Sequence, residues 1–334
     1  MKPNREPLIS VVLPTYNVVQ YLRQCLESVA AQTYRNIEVI IIIDGATDGS
    51  YEIALEFCKK DDRFSVYWQE NAGSGPARNA GLAHCKGEFV MFVDPDDWIE
   101  PELLEKLYEA QQEGYYDLVA SKRTIALCDI QGDVIKMEPR HYKDETINGQ
   151  KEVRLAFMRM LREAVVSAPT EKLYKLSIIQ EHQVEFPSLK RSQDIVFNYR
   201  YYNHISSLRL IAYSGYSYRQ SVTQALGKVE PDYYKTIVLL YNDYVSLYQS
   251  WGMPFPEQEM TDWFFRVRIY SYLQKMAGRK QDFREAVEHP VIHKIIQSTK
   301  PKGLHLQLTR YLLLSKSYKM LSIFLTLILK MKQI

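Results

Sequence analysis

The chain has 334 residues, a quarter of them charged, and a formal net charge of +2; that length allows one large domain with an appendage, or two domains. The near balance of charge excludes the broad basic footprint of a nucleic-acid binder. Cys25, Cys58, Cys85 and Cys128 lie far apart with no C-x-x-C pair, which argues against a zinc or redox site and for reduced thiols in a cytoplasmic protein.

The opening stretch, MKPNREPLIS, has no apolar core of signal-peptide length, so no export is expected. Ile9 to Leu13 is predicted as a strand, after which Val19, Leu22, Cys25, Leu26 and Val29 recur at helical spacing. Ile37 to Ile43 is apolar apart from Glu38, the pattern of a strand buried on both faces. A helix over Tyr51 to Lys60, a strand over Phe64 to Trp68, a helix over Gly75 to Cys85 and a strand over Phe89 to Val93 complete an alternating α/β pattern. In such sheets ligands sit beyond the carboxyl ends of the strands. Pro14-Thr15-Tyr16-Asn17, Asp44-Gly45 and Asp94-Pro95-Asp96 all occupy such ends. Each has a plainer reading as a strand end or a turn, and Asp48 suits a cap for the Tyr51 helix.

In GEFVMFVDPDDWIEP an apolar strand stops at three carboxylates, Asp94, Asp96 and Asp97. Asp97 reads as the cap of a helix beginning at Trp98, with Glu100, Pro101 and Glu102 in its first turn. Asp94 and Asp96 have no such local explanation, because adjacent like charges repel unless a cation or solvent lies between them. Oxygen ligands of this kind suit Mg²⁺ or Mn²⁺, particularly an ion that also holds a phosphate; a lone D-x-D is nevertheless a weak motif.

Past Leu118-Val119-Ala120 the pattern loosens. Asp129 to Thr146 reads as a hairpin or excursion loop, Lys151 to Arg162 as a helix and Ile205 to Tyr213 as a strand. From about Asp232 the chain turns helical, with Ile237, Leu240, Tyr241, Tyr244, Leu247, Tyr248 and Trp251 on one face. The expected organisation is an α/β domain over 1–225 and a helical region over 226–334.

The stretches ISVVLPTYNVVQYLRQCLESVAAQTYRNIEVIIIIDGATDGS and NAGSGPARNAGLAHCKGEFVMFVDPDDWIEP resemble the nucleotide-sugar-binding half of the family 2 glycosyltransferases. The likeness is dense over roughly the first 110 residues, thins towards 225 and does not reach the C-terminal third. It implies a GT-A fold, a Rossmann-like mixed sheet flanked by helices, and a Mn²⁺ or Mg²⁺ cofactor. It also implies inverting transfer of a sugar from a nucleoside-diphosphate donor to a hydroxyl of a glycan acceptor. By position, Pro14, Thr15 and Tyr16 would line the nucleoside, Asp44 would hydrogen-bond the base, and Arg78 would lie near the nucleotide. Asp94 would reach the ribose or the metal, and Asp96 would be the direct metal ligand.

Inverting transfer needs a base for the acceptor hydroxyl. The family supplies it from an acidic pair opening a later helix, and here Gln193-Asp194 stands at that interval, making Asp194 the candidate. Asp194 also reads as a plain cap for a helix from Ile195. Arg219, in YRQSVTQ, is a further candidate cation for the leaving phosphate. Where many members read D-D-G-S-T-D, this chain reads Ile43-Asp44-Gly45-Ala46-Thr47-Asp48, which leaves the base open with a lean to uracil. Gln193 in place of the partner acid keeps a second reading alive, that of a degenerate GT-A protein that only binds a glycan or a partner. A nicotinamide enzyme is disfavoured because no G-x-G-x-x-G follows the first strand.

At the C-terminus no acidic residue follows Glu288, while Lys294, Lys300, Lys302, Arg310, Lys316, Lys319, Lys330 and Lys332 accumulate. In LLLSKSYKMLSIFLTLILKMKQI, Ser315, Lys319, Ser322, Thr326, Lys330 and Gln333 recur at three- and four-residue steps, predicting one helix with a narrow polar stripe and a broad apolar face. The apolar run is short of the roughly 20 residues a membrane span needs. Residues 303–334 are therefore expected either to lie on an anionic membrane surface, at the cytoplasmic leaflet and near a lipid-linked acceptor, or to pack on the catalytic domain.

Overall fold

The computed structural model describes residues 6–140, 142–221, 230–278 and 282–331. The chain divides into two compact units, 1–224 and 225–334. In the first, β1 (Ile9–Thr15), β2 (Ile37–Asp44), β3 (Phe64–Gln69) and β4 (Phe89–Phe92) alternate with α1 (Val19–Ala30), α2 (Ser50–Lys60) and α3 (Ser74–His84). These four strands pair in parallel in the order β3-β2-β1-β4. The chain winds outward from β1 to β3 and then returns to its other side as β4, so the switch point that makes a ligand crevice falls between the carboxyl ends of β1 and β4. From Val39 to Ile43 β2 is an unbroken run of β-branched residues because both faces are covered, and Ile41 and Ile43 join Val11, Leu13, Leu26 and Met91 in the core.

Pro14 fits this ladder without cost. The N–H of Val93 donates to Val12 O, so Val12 faces β4; Pro14, two residues on, faces the same side where β4 has already ended. Its missing N–H has no carbonyl to serve there.

The sheet continues as β10 (Lys172–Lys175), β6 (Leu118–Ala120), β11 (Ser207–Leu210) and β9 (Glu145–Asn148), with β10 antiparallel to β4. A second sheet pairs β5 (Trp98–Ile99), β12 (Tyr216–Ser221), β7 (Arg123–Cys128) and β8 (Val134–Pro139), in that order. The expected Asp129–Thr146 excursion is thus the β7–β8 hairpin followed by β9. Helices α4 (Leu103–Gly114), α5 (Gln150–Arg162), α6 (Leu176–Glu181) and α7 (Gln193–Tyr202) cover the sheets.

One local expectation is overturned. Asp97 does not cap a helix at Trp98: Trp98–Ile99 pairs with Ser217 and Tyr216 as a strand, and α4 begins at Leu103 behind Glu102. Cross-strand pairing to residues more than a hundred positions away outweighs the local capping pattern.

The second unit contains α8 (Tyr233–Ser250) and α9 (Glu257–Phe264), a π-helical turn (Phe265–Ile269), and α10 (Tyr270–Gly278), α11 (Arg284–Glu288) and α12 (Pro290–Ser298). It ends with α13 (Leu304–Leu314) and α14 (Tyr318–Met331). The anticipated face of α8 is buried, Ile237, Leu240 and Tyr244 completely. The single terminal helix expected from the sequence is two helices. Lys316 takes a left-handed φ of 53°, and the N–H groups of Lys316 and Ser317 donate to Leu313 O (3.1 Å) and Leu312 O (2.9 Å), the paired bonds that close a helix C-terminus. Ser315 therefore leaves the predicted stripe. The stripe is also turned round: the Thr326 hydroxyl reaches Ala277 O of α10, Leu321 and Leu325 are buried, and the exposed row is Met320, Ile323, Leu327 and Met331. Lys332, Gln333 and the side chain of Lys330 lie outside the described residues.

Candidate active site

At the end of β2 the Asp44 carboxylate is 2% exposed and already engaged. Oδ1 accepts from Gln69 Nε2 (2.7 Å) and Ala72 N (2.9 Å), and Oδ2 from Gly73 N (2.9 Å). Asn71 Nδ2 donates to its backbone carbonyl at 3.1 Å. Asp44 thus folds the loop that delivers the start of α3. Gly45 lets that loop close, with φ of 69° and a hypothetical Cβ 2.8 Å from Asn71 N. Nearby, Asp48 accepts from Ser50 N (3.1 Å), Ser50 Oγ (2.6 Å) and Val19 N (2.8 Å), so it ties the starts of α1 and α2 together. At the end of β1, Thr15 is fully buried, while Tyr16 is 49% exposed and presents the open ring of that turn.

The end of β4 is different. Asp94 Oδ1 accepts from Arg78 Nη2 at 2.6 Å. Asp97 is buried: Oδ2 accepts from the Tyr216 hydroxyl (2.8 Å) and Oδ1 from Arg219 N (2.8 Å). The same Tyr216 oxygen accepts from Asp94 N at 3.1 Å. Burial, then the charges of Asp96 and Asp94, push the Asp97 carboxyl well above its usual range. Among the described residues no side-chain donor reaches the Asp96 carboxylate, and burial followed by the Asp94 charge pushes it up to about 6. Three carboxyls crowd one strand end with too little positive charge to match.

Arg219 on β12 is brought to these acids but is engaged by the protein. Nε donates to Asp96 O (2.9 Å), Nη1 to Gly132 O (2.9 Å) and Nη2 to Gln24 Oε1 (2.7 Å). The guanidinium lies 4.5 Å from the Tyr21 ring centre and 4.8 Å from that of Trp98. It bolts the acidic turn to α1 and to the β7–β8 hairpin.

Helix α3 links the acids to α7. Arg78, on its second turn, stacks on Phe186 at 5.3 Å. Beyond the bond to Asp94, its Nε and Nη1 are buried without a hydrogen-bond partner. Asn79 clamps the chain before α7, donating to Phe186 O (2.8 Å) and accepting from Phe186 N (2.9 Å). Gly75 admits close contact, since a Cβ there would stand 2.8 Å from Pro187 O. Gln193 Nε2 donates to Ser74 Oγ at 2.8 Å, which gives the residue in place of the family's acid a role as a clasp between the two helices. Asp194 sits in the first turn of α7, with Oδ1 accepting from Ile195 N at 2.9 Å. Arg78, Asp94, Asp96 and Arg219 thus gather at one strand end, Asp44 and the Thr15–Tyr16 turn line neighbouring ends, and α7, which carries Asp194, is clasped to α3 through Gln193 and Ser74.

Sequence reasoning missed Tyr216, Asn79 and a buried group comprising Arg123, Thr170, Glu171 and Lys172. Arg-Asn inside GPARNAG was a visible signal for Asn79. Tyr216 and Glu171 gave no local signal, because their partners lie far away in the chain.

A GT-A arrangement of this kind, with acids beyond the switch strand of a nucleotide-type sheet, defines a glycosyltransferase, and comparison with known proteins agrees. The Glycosyl transferase family 2 profile matches residues 10–168. EpsH of Bacillus subtilis is 30% identical over 248 residues, 73% of this chain and 70% of EpsH. The glycosyltransferase GlyA of Streptococcus pneumoniae is 52% identical over 101 residues, 30% of this chain and only 14% of GlyA. Among solved structures, S. aureus TarS 1–349 with UDP-GlcNAc superposes with a TM-score of 0.62 at 19% identity, covering 95% of this chain and 90% of that one. The mannosyltransferase PcManGT of Pyrobaculum calidifontis, with GDP-Man and Mn²⁺, gives 0.51 at 13%, covering 97% and 86%. These two likenesses concern the fold. The chain belongs to glycosyltransferase family 2.

Proposed function

We propose that the protein transfers a sugar from a nucleoside-diphosphate donor, of the UDP type, to a glycan hydroxyl with inversion. The observation that carries this is the end of β4: Asp96 is mostly buried, raised in pKa and reached by no side-chain donor among the described residues, while Nε and Nη1 of Arg78 are buried with no hydrogen-bond partner. That donor set fits a divalent ion, because carboxylate oxygens shared with substrate phosphates are how Mg²⁺ and Mn²⁺ are held; Asp96 and Asp94 would hold it. Bound there, Mn²⁺ or Mg²⁺ supplies positive charge for the departing diphosphate. The crystal complexes of TarS with UDP-GlcNAc and of PcManGT with Mn²⁺ support the donor class and the ion.

The chain's own residues do the rest. Arg78 fixes Asp94 and offers its remaining N–H groups to the nucleotide, and Tyr16 flanks the nucleoside. Asp44 acts through the 71–73 loop it organises, and Arg219 holds the acidic turn rather than the phosphate. Asp194 takes the proton of the acceptor hydroxyl as its oxygen bonds to the anomeric carbon. The bond from that carbon to the diphosphate oxygen breaks with its electron pair leaving on the nucleotide, so one displacement inverts the centre.

The acceptor we assign is a lipid-linked glycan at the cytoplasmic leaflet, in surface-polysaccharide assembly. No helix among the described residues is long and apolar enough to cross a membrane. Yet α14 exposes Met320, Ile323, Leu327 and Met331, and α13 exposes Leu304, Leu308 and Tyr311. A hollow of ≈ 360 Å³ lined by Lys300, Lys302, Gln307 and Arg310 opens beside the start of α13. Apolar rows flanked by cations, with no acid after Glu288, suit an anionic bilayer.

The test is a panel of nucleotide sugars read by nucleoside diphosphate release, with Mn²⁺ and with chelator. Release from a UDP-sugar that stops without metal is expected. Nucleotide binding without release from any donor, even with glycan acceptors, would leave a glycan-binding protein instead.

A further inference from the structure

A second set of charges lies deeper in the first unit. Arg123 on β7 donates from Nε (3.2 Å) and Nη2 (2.6 Å) to Glu171 Oε1. The Thr170 hydroxyl donates to Glu171 Oε2. Lys172 Nζ is 3.7 Å from Glu171 Oε1 and donates to Ala168 O (2.6 Å) and Thr170 O (3.2 Å). Thr170, Glu171 and Lys172 are 1%, 2% and 0% exposed. Buried ions of this kind cost several kcal/mol each in desolvation, and an apolar set of equal volume is often more stable. Glu171 also holds a left-handed φ of 53°, a strained conformation for a non-glycine residue. Charge and strain concentrated in one segment ask for a purpose beyond packing.

The segment joins two regions of the site. On one side, Arg123 lies opposite Tyr216, the residue that binds Asp97 and Asp94 N, and Thr170 bridges to Phe92, two residues before Asp94. On the other side, Asn198 on α7 donates from Nδ2 to Ser167 O (3.1 Å) and to Asp194 O (2.8 Å), while Tyr174 of β10 donates to its Oδ1 at 2.7 Å. The 167–172 segment is therefore pinned to the acidic strand end through Arg123 and Thr170, and to the first turn of α7 through Asn198. Arg123 of β7 and Lys172 of the segment face one carboxylate, that of Glu171, and Asp194 is among the charges acting on Lys172.

We propose that Arg123, Glu171 and Lys172 are positioning residues: a buried ionic clasp that sets where the first turn of α7, and with it Asp194, stands relative to the acids at the end of β4. This rests on the reading of Asp194 as the base. None of the three touches the donor; they act by holding a distance. Misplacing a reacting group by about 1 Å can cost roughly a hundredfold in rate, whereas donor affinity, set at the strand ends, stays as it was.

The test compares the full chain with Glu171→Gln and Lys172→Met in three measurements: calorimetric affinity for UDP with Mn²⁺, turnover at saturating donor, and hydrogen exchange of residues 193–199. The clasp predicts UDP affinity within about twofold of the parent, turnover at least about tenfold lower, and exchange in the first turn of α7 about tenfold faster while β1 to β4 keep their protection. Lys172→Arg should recover part of the loss. Should the first two variants fail to fold, Arg123→Lys, which keeps the charge and loses the two-pronged bond, takes the same three measurements. Unchanged α7 exchange, or unchanged turnover with faster exchange, overturns the proposal. If Asp194→Asn itself leaves turnover intact, the base assignment fails separately, and the exchange result still reports on the clasp's mechanical part.

Discussion

Asp44 and Asp96 stand at the ends of two strands of one sheet, and their surroundings are opposite. Asp44 is surrounded by donors, three of them bound to its two oxygens. Asp96 has like charges as neighbours and no side-chain donor among the described residues, and its carboxyl is pushed up to about 6 by burial and by Asp94. A carboxylate whose acceptor sites are filled from within is architecture; it shapes a loop. A carboxylate desolvated among other acids raises the energy of the fold and makes sense when a cation arrives from outside. The family motif treats both as ligand contacts, and geometry separates them.

The sharpest way to break this division is through the chemistry beyond it. Asp194→Asn should lower turnover at least about a hundredfold, the usual size of a lost general base, with UDP affinity nearly unchanged. Steady-state release of nucleoside diphosphate checks it, and unchanged turnover would leave Asp194 as no more than a first-turn acid of α7.

Stability should then divide the two strand ends. Asp44→Ala removes three hydrogen bonds to a charged acceptor and leaves the N–H groups of Ala72 and Gly73 without partners, so urea unfolding should show a loss of about 3 kcal/mol. Asp96→Ala should cost nothing of that kind. Equal losses would erase the contrast. A smaller probe of the same loop is Gly45→Ala, which places a Cβ 2.8 Å from Asn71 N at positive φ and should cost about 1–2 kcal/mol.

The smallest effect is in pH. A carboxyl whose folded pKa is raised binds its proton more tightly folded than unfolded. Its contribution to stability is intact below about 4, and it is lost as pH rises through about 6. In metal-free protein, Asp96→Asn should therefore be more stable than the parent at pH 7.5, by about 1–3 kcal/mol, with the difference vanishing towards pH 4. Asp97 is pushed up by burial and then in part by the Asp96 charge, so removing that charge relaxes Asp97 as well and changes the difference in the same direction. A variant no more stable than the parent at pH 7.5 would mean that Asp96 is not under strain.

Much of this was legible in the sequence because it is local. Alternating apolar runs fixed β1 to β4 and the helices between them, and strand ends placed Pro14, Asp44 and Asp94 correctly. What stayed hidden depends on partners remote in the chain. Asp97 imitates a helix cap in its own neighbourhood, yet its bond to Tyr216 spans 119 positions. Arg219 reads as a spare cation until Gln24, 195 positions earlier, is seen to hold it. Glu171 and Lys172 look like an ordinary charged pair ahead of a strand, and only the pairing of β7 with β12 beside β10 shows why they are inside. At the C-terminus, periodicity continued across Lys316 while the backbone did not, because a left-handed residue ends a helix without altering the apolar pattern.

The proposed function requires the acids at the end of β4 to take up a metal-bound nucleotide. Calorimetric titration of UDP into the parent and into Asp96→Asn, each with and without Mn²⁺, tests it most directly. Metal-dependent binding in the parent and none in the variant, with both folded, is expected. Equal affinity in the two proteins, or binding in the parent that ignores Mn²⁺, would contradict it.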